Sequence, residues 1–265
     1  MSKIITFYKY QGTGNDFVII DNRLGEIMLT QNQVELLCDR KFGIGADGLM
    51  LLNKLDGYDF AMKYYNADGN ESTMCGNGGR CLSQFAKDCG IEKDTYLFLA
   101  IDGDHEVVFA RNGWIELKMK DVSGITSYSN DFVLNTGSPH YIRKVADIKS
   151  IDVFKEGRSI RNSSDFKVEG INVNFVSVND HSLTVRTYER GVEDETLSCG
   201  TGVTAAALAL GKTNEGLHEI AIETPGGKLK VKFNALSDGS FDNIWLCGPA
   251  TFVFKGEISL LDRKL

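Results

Sequence analysis

The stretches MCGNG (residues 74–78) and SCGTG (residues 198–202) share the pattern Cys-Gly-x-Gly and lie 124 residues apart in a chain of 265. Each follows predicted strands and a short acidic loop, and each opens a predicted helix. The repeat indicates two similar halves with a boundary near residues 121–131, although one tetrapeptide can also recur by chance. The second helix, predicted over 201–212, is apolar almost all round, so we expect a sheet to wrap it.

Period-two alternation of apolar residues runs through much of the chain and predicts strands that are buried on one face. In residues 60–64, for example, Phe, Met and Tyr alternate with Ala and Lys. Helices are also predicted over 31–39, where Thr30 and Gln33 can form a capping box, and over 78–88. Strands outnumber helices, so the predicted fold class is α+β, with helices inside curved sheets.

The composition argues against several classes of protein. Asp and Glu outnumber Lys and Arg, which gives a net charge of −7 and argues against a nucleic-acid partner. No apolar run reaches the roughly 20 residues that cross a bilayer, so no membrane partner is expected. The first residues, MSKIITFYKY (1–10), lack the apolar core of a signal peptide. We therefore expect a cytoplasmic protein whose six cysteines are thiols.

Cys75 and Cys199 stand directly before two of the predicted helices. Unpaired backbone N–H groups and the helix dipole concentrate positive charge at such a position, which favours a thiolate. The neighbouring glycines let backbone N–H groups approach a carboxylate closely. If the two halves face each other, one thiolate and one thiol can remove and return a proton on opposite faces of a carbon. That chemistry inverts a stereocentre and requires neither a metal nor an organic cofactor.

A buried thiol without chemistry is the alternative interpretation of any cysteine, because free Cys behaves as a small hydrophobe. We prefer that interpretation for the cysteines that lack a glycine cradle, which are Cys38, Cys81, Cys89 and Cys247. No metal site is expected, because the spacing of Cys75 and Cys81 does not suit zinc and no pair of histidines lies nearby. A disulfide between Cys75 and Cys199 would be an oxidation artefact.

Four other features allow both a functional and a structural interpretation. Residues 200–205, GTGVTA, fit a dinucleotide fingerprint, but an acidic loop stands where that motif needs a strand. The pair Glu189-Arg190 is either a surface ion pair or a charged pair at the edge of a cleft. His140 follows a Gly-Ser-Pro turn, where a lone histidine is usually solvated. Asparagines at strand ends are also common turn residues.

The paired cysteines favour a cofactor-free amino-acid epimerase. The alternatives are a protein that only binds an amino acid or senses redox state through the same cysteines, and an NAD-dependent enzyme. Exchange of a substrate α-proton with solvent distinguishes the epimerase from a binding or redox-sensing protein, and cofactor binding would identify the NAD-dependent enzyme.

Seven stretches together resemble the diaminopimelate epimerase family of cofactor-independent amino-acid racemases and epimerases. They occur in the family's order over nearly the whole chain: GTGNDF (12–17), FGIGADGL (42–49), YNADGNESTMCGNGGRC (65–81), GSPH (137–140), NVNFV (172–176), YERGVEDETLSCGTG (188–202) and ETPGG (223–227). The related proline racemases typically carry His where this chain has Asn77, and the isomerase-like family that makes phenazines lacks the cysteine pair. Both resemble the chain less.

The resemblance implies that the chain interconverts LL- and meso-2,6-diaminopimelate, in lysine and peptidoglycan precursor synthesis, without pyridoxal phosphate or a metal. It implies that Cys75 and Cys199 are the acid/base residues and that His140 and Glu189 support them. Backbone N–H groups at Gly76, Asn77, Gly200 and Thr201 would hold the reacting carboxylate. The residues that would hold the other end of the substrate are Asn15, Asn66, Asn172, Glu189 and Arg190.

The fold implied by the resemblance has two pseudo-symmetric halves, each a curved, mainly antiparallel sheet around a central helix. The expected halves are residues 1–121, completed by 252–265, and residues 122–251, and a homodimer is expected. Two positions depart from the family pattern. Ser138 stands where the family often has Asn, which puts one distal contact in doubt. Gly48 stands where some members carry Gln, so no side-chain contact is expected there.

Overall fold

The computed structural model describes residues 3–180, 182–211 and 214–260, which form two compact units. The first unit comprises the chain up to Leu117 and the chain from Pro249 onward, and the second comprises Lys118–Gly248. Two predictions extend beyond the described residues: the apolar helix expected over 201–212 at residue 212, and the expected first half at residues 261–265. Within the described part, no helix is long and apolar enough to cross a bilayer.

Seventeen strands and four α-helices lie within the described residues. The strands are β1 (Lys3–Gly12), β2 (Asn15–Asp21), β3 (Gly48–Asn53), β4 (Phe60–Asn66), β5 (Thr95–Ala100), β6 (Gly103–Phe109), β7 (Ile115–Lys118), β8 (Thr126–Tyr128), β9 (Asp131–Asn135), β10 (Pro139–Lys144), β11 (Asn172–Val178), β12 (Ser182–Glu189), β13 (Asp194–Thr196), β14 (Gly216–Thr224), β15 (Gly227–Ala235), β16 (Phe241–Gly248) and β17 (Thr251–Leu260). The helices are α1 (Gln31–Cys38), α2 (Gly76–Asp88), α3 (Val153–Arg161) and α4 (Gly200–Leu210).

The sheet of the first unit has the strand order β17-β1-β2-β3-β4-β5-β6-β7. Its pairings are antiparallel except β2 with β3 and β4 with β5. Parallel neighbours need a crossover, and helices α1 and α2 lie in these two connections. The last strand, β17, pairs with β1.

The second unit repeats this arrangement. Its strand order is β8-β9-β10-β11-β12-β14-β15-β16, with the short strand β13 also paired to β12. The parallel pairings are β10 with β11 and β12 with β14, and the connections again contain helices, α3 and α4. From β1 to β7 and from β9 to β16, the succession of parallel and antiparallel pairings is the same. The predicted α+β class with two pseudo-symmetric halves is therefore confirmed.

Helices α2 and α4 are the central helices of their units. Nearly every residue of α4 is buried, and the helix contacts seven strands that surround it, β9 to β12 and β14 to β16. Helix α2 is also largely buried, against β1, β2 and β3. The two glycines of each Cys-Gly-x-Gly motif lie in the first turn of its helix, so each motif helix begins directly after its cysteine.

Helix α3 and several strands, β3 among them, are elements that the sequence did not predict. Helix α3 buries only Val153 and Gly157 and so lacks a wide apolar stripe. Strand β3 is buried on both faces. Period-two alternation of apolar and polar residues marks strands with one exposed face, so β3 does not show it.

The capping box predicted for α1 is present, because the Thr30 hydroxyl accepts from the Gln33 N–H and the Gln33 side chain accepts from the Thr30 N–H.

Candidate active site

Cys75 and Cys199 are the N-cap residues of the two central helices. Both have extended backbone conformations, with φ of −92° at Cys75 and −116° at Cys199, and neither uses its side chain as a cap. The first N–H groups of each helix have no partner inside the helix and lie beside the sulfur-bearing residue. Cys75 is half-buried and Cys199 is buried, and all six cysteines are thiols. Each unit therefore presents one thiol at a helix N-terminus, where an anion is stabilised.

In the first unit, the predicted site residues Asn15, Cys75 and Asn77 are in contact. The Asn15 amide oxygen accepts from the Cys75 thiol at 3.5 Å and from the Asn77 amide at 3.3 Å. The Asn15 Nδ2 group donates to Asp47 at 2.6 Å, which fixes the orientation of the amide. Among the described residues, the Asn66 side chain makes no hydrogen bond to these groups, although Asn66 ends β4 as predicted.

Four charged side chains form a cluster that contacts Asn15 through Asp47; they are Lys9, Asp16, Arg40 and Asp47. Arg40 donates to both carboxylate oxygens of Asp16, at 3.0 and 2.7 Å, and also donates to Asp47 at 2.7 Å. Lys9, which is buried, pairs with Asp16 at 2.7 Å. Desolvation opposes ionisation of Asp16, but the hydrogen bonds from Arg40 and Lys9 outweigh it and lower its pKa to about 2. The cluster therefore holds Asp47, and through it Asn15, in one position.

The depressed pKa of Asp16 predicts a pH dependence of stability. The Asp16 carboxylate contributes stability at pH values above its unfolded pKa, near 3.8, and this contribution is lost as pH falls through about 2. The carboxylate contributes about 1 kcal/mol to the free energy of unfolding after allowance for solvent screening. The free energies of unfolding of wild type and Asp16→Asn, measured in urea, should therefore differ more at pH 6 than at pH 2. A constant difference across that range would contradict the ion-pair assignment.

In the second unit, Asn172 and Arg190 meet at Ser138. The Asn172 amide donates to the Ser138 hydroxyl at 2.8 Å, and its amide oxygen accepts from the Arg190 backbone N–H at 2.9 Å. The Arg190 guanidinium reaches the same hydroxyl at 3.5 Å and the Glu169 carbonyl at 3.0 Å. Ser138, which departs from the family pattern, thus accepts hydrogen bonds from both Asn172 and Arg190.

The other predicted residues of this unit lie around the start of α4. The Cys199 sulfur is 3.5 Å from the Thr201 hydroxyl, and the Thr201 carbonyl accepts from Thr136 at 2.8 Å. Glu189 ends β12, as expected, and its carboxylate accepts from the Thr196 hydroxyl at 2.8 Å. The segment that carries His140 is tied to this helix start through Thr136.

His140 differs from the expectation that its position alone gave. It lies in β10 and is fully buried, so the interpretation as a solvated loop residue is wrong. Its Nδ1 atom is 3.1 Å from the Asn174 amide nitrogen. Burial, with a smaller effect from the positive charge of Arg190, lowers its pKa to about 3. The imidazole is therefore neutral at physiological pH.

The position of Gly48 has no room for a side chain. A Cβ atom there would lie 2.6 Å from the Tyr64 ring and 2.7 Å from the Tyr65 carbonyl oxygen. Both atoms belong to β4, the neighbouring strand, which pairs closely with β3 at this point. Gly48 therefore allows β3 and β4 to pack closely at this point, and no side chain fits there.

Three of the four cysteines outside the glycine motifs have raised pKa values and are held as thiols. Burial raises the pKa of Cys38 and of Cys81 to about 12, and that of Cys89 to about 11. Cys38, Cys81 and Cys247 are buried, and Cys89 is partly buried. In the described residues, no group of three or more His, Cys, Asp or Glu side chains is arranged to hold a metal ion.

The sequence profile of the diaminopimelate epimerase family matches residues 7–124 and 132–253. The chain belongs to the diaminopimelate epimerase family. It is 52% identical to the diaminopimelate epimerase of Flavobacterium psychrophilum over 95% of this chain and 99% of that protein. It is 43% identical to the diaminopimelate epimerase of Chlorobaculum tepidum, over 94% of this chain and 99% of that protein.

Solved structures with far lower identity share the fold of this family member. A phenazine biosynthesis protein of the PhzF family from Bacillus anthracis has a TM-score of 0.77 at 15% identity, covering 97% of this chain and 99% of its own. A hydroxyproline epimerase from Agrobacterium vitis has a TM-score of 0.70 at 12% identity, covering 97% and 93%. At these identities the likeness extends to the fold alone.

Sequence reasoning missed several residues that hold the predicted ones in place. Asp47 orients Asn15, Arg80 donates to the Asn77 amide oxygen at 2.9 Å, and Asn174 contacts His140. One signal for Asn174 was present, because it stands two residues after Asn172 in β11 and so shares a face of that strand. Asp47 lies in the family-like stretch FGIGADGL (42–49), but no local spacing indicated its contact with Asn15, which spans 32 residues.

Proposed function

We propose that Cys75 and Cys199 are the acid/base pair of a diaminopimelate epimerase. The reaction follows from the family: the chain is an isomerase that interconverts LL- and meso-2,6-diaminopimelate, a step of lysine biosynthesis. The observation that carries the assignment of the two sulfurs is their equivalent position. Each is the N-cap of the central helix of its unit, followed by a glycine-rich first turn.

The proposed chemistry moves one proton off the α-carbon and one proton onto it. A thiolate takes the α-proton, and the electron pair of the broken C–H bond stays on the α-carbon and delocalises into the carboxylate. A thiol on the opposite face of the carbon then supplies the new proton. The centre is inverted, and the two sulfurs exchange their protonation states. The mechanism requires that both sulfurs reach the same α-carbon, and it needs no metal or pyridoxal phosphate.

The helix N-termini supply the electrostatics that this intermediate needs. The substrate carboxylate becomes more negative as the α-proton leaves, and preorganised N–H donors stabilise that charge without reorganisation. In the proposal these donors are the backbone N–H groups of Gly76, Asn77, Gly200 and Thr201. The glycines at 76 and 200 permit the close approach that such a cradle needs.

The remaining predicted residues would bind the other end of the substrate. Diaminopimelate carries a second amino group and a second carboxylate, and the second unit offers the Arg190 guanidinium and the Glu189 carboxylate for them. Ser138 connects Asn172 and Arg190, which supports a single rigid group of contacts. Asn15 and Asn66 of the first unit are proposed as further substrate contacts, and His140 as a residue that supports Cys199. A homodimer in the cytoplasm, with no nucleic-acid or membrane partner, belongs to the same proposal.

Proton exchange tests the two-base mechanism directly. Purified protein, kept reduced in deuterated water and given LL-diaminopimelate, should form meso-diaminopimelate that carries deuterium at the inverted α-carbon. Mass spectrometry and chiral chromatography measure the two changes. Ligand binding without exchange, or a reversible cysteine oxidation as the main activity, would support the binding or redox-sensing alternative instead. A matched sample that is alkylated at its accessible thiols before the assay should show no exchange.

A further inference from the structure

We propose that Asn174 is a positioning residue that holds His140 in its Nε2–H tautomer, so that the imidazole serves as a hydrogen-bond donor, and not as a base, beside Cys199. The inference rests on the proposed function for its catalytic meaning. Its structural part, the tautomer, stands on the contacts of the second unit alone. Asn174 lies in β11, is fully buried, and was not among the residues predicted from the sequence.

Three contacts fix the orientation of the Asn174 amide. Its nitrogen is 3.1 Å from the Tyr141 carbonyl oxygen and 3.1 Å from His140 Nδ1, and its oxygen accepts from the Thr187 hydroxyl at 2.9 Å. The reversed orientation would set the amide oxygen against the Tyr141 carbonyl, two acceptors at hydrogen-bond distance. Because a carbonyl can only accept, the NH2 group must face Tyr141 and therefore His140 as well.

The orientation of the amide determines where the imidazole carries its proton. His140 Nδ1 accepts from Asn174, so the single N–H of the neutral ring is on Nε2. Among the described residues, His140 Nε2 is the one buried side-chain nitrogen or oxygen atom that has no hydrogen-bond partner. A buried donor without a partner is costly, which indicates that an acceptor arrives during function.

The hydrogen-bond network of Asn174, His140, Tyr141 and Thr187 lies against the first turn of α4. A Cβ atom at Gly202 would collide with the Asn174 amide oxygen and would lie 3.3 Å from the Cys199 Cβ. Asn174 and the N-cap cysteine are thus both neighbours of the same glycine. The acceptor for His140 is an anion formed at this helix start, either the Cys199 thiolate or the substrate carboxylate.

The first unit shows that the fold does not need this polar network. By strand register, Phe17 and Met50 occupy the positions in β2 and β3 that His140 and Asn174 occupy in β10 and β11. The partner of Met50 across β3 and β4 is Tyr64, as Thr187 is the partner of Asn174. One unit fills these positions with apolar or aromatic groups, and the other buries a hydrogen-bonded histidine. The difference points to chemistry at Cys199 and not to folding.

Nitrogen NMR of the full chain tests the tautomer without any activity measurement. In protein labelled with 15N-histidine, His140 is assigned as the signal that disappears in His140→Gln. We expect its Nδ1 to resonate as an unprotonated ring nitrogen and its Nε2 as a protonated one. Diaminopimelate should shift Nε2 if the substrate carboxylate is the acceptor, whereas Cys199→Ala should shift it in the ligand-free protein if the thiolate is. A protonated Nδ1 in wild type would overturn the proposal.

Variants of Asn174 test the functional part. Asn174→Asp replaces the donor by an acceptor and should move the proton to Nδ1, with a fall in kcat of about 100-fold and a smaller change in KM. Asn174→Met installs the residue that the first unit carries, and should keep the fold while losing similar activity. Asn22→Asp is the matched control, since Asn22 is a buried asparagine whose amide bonds Asn53 in the first unit.

The outcomes separate this proposal from the proposed function. Wild-type kcat in Asn174→Asp, or an unchanged tautomer in that variant, would overturn the positioning role. An equal loss of kcat in Asn22→Asp would also overturn it, because the effect would then be structural. If wild-type protein shows the Nε2–H tautomer but catalyses no α-proton exchange, the proposed function fails and the tautomer assignment stands.

Discussion

Each of the variants Cys75→Ala and Cys199→Ala is expected to lower kcat for epimerisation by at least about 1,000-fold. In a two-base mechanism each sulfur is the acid in one direction and the base in the other. Neither direction can then proceed through its normal pair of proton transfers when one sulfur is missing. Steady-state turnover from LL- and from meso-diaminopimelate measures the effect in both directions.

Both variants should remain folded. Neither thiol caps its helix, so alanine removes one sulfur atom from an N-cap without removing a cap hydrogen bond. Thermal unfolding within a few degrees of wild type would establish that the loss of turnover is chemical. If either variant turned over at the wild-type rate in both directions, the two-base assignment would be wrong.

Cys81→Ala is the matched control for this pair. Cys81 lies in the same helix as Cys75, but it is fully buried and burial raises its pKa to about 12. Its replacement leaves a small cavity and should cost about 1 kcal/mol of stability, with kcat close to wild type. The expected pattern is therefore opposite to that of the N-cap cysteines, whose replacement removes activity and spares stability.

The sequence predicted those parts of the fold that leave a local pattern. The repeated Cys-Gly-x-Gly motif predicted two equivalent helices and two similar halves, because a helix start and its glycine turn are encoded within a few residues. The sequence did not predict helix α3, because only Val153 and Gly157 of its residues are buried, which is too few for a periodic apolar stripe. Strand β3 was not predicted either, because strands buried on both faces have no alternation.

In the candidate site, too, some residues leave a local pattern in the sequence and others do not. Cys75 and Cys199 are proposed from their neighbouring glycines, and the candidate binding residues are proposed from motifs shared with the family. The supporting contacts could not be predicted, since they join positions that only strand pairing brings together. Asn174 meets Thr187 because β11 and β12 pair at those residues, and it meets His140 because β10 lies on the other side. A hydrogen-bond network of this kind becomes visible only when the register of three strands is known.

The two central helices predict opposite outcomes for one substitution. Gly202→Ala is expected to lower the free energy of unfolding by about 2 kcal/mol, whereas Gly78→Ala is expected to be close to neutral. At Gly202 the new methyl group would collide with the Asn174 amide oxygen. At Gly78 the nearest atom is the Met50 sulfur at 3.3 Å, on a flexible side chain that can move by a few tenths of an ångström. The higher helix propensity of alanine offsets that small cost.

The difference arises because Asn174 cannot move away. Its amide is held by the Tyr141 carbonyl, the Thr187 hydroxyl and His140, so displacing it breaks several buried hydrogen bonds at once. Gly202→Ala should therefore lower kcat as well, by about 100-fold, as the imidazole loses its fixed tautomer. Urea unfolding and steady-state turnover measure the two effects in both variants. Equal stability and activity in Gly78→Ala and Gly202→Ala would show that Asn174 yields freely, which would contradict a rigid network beneath Cys199.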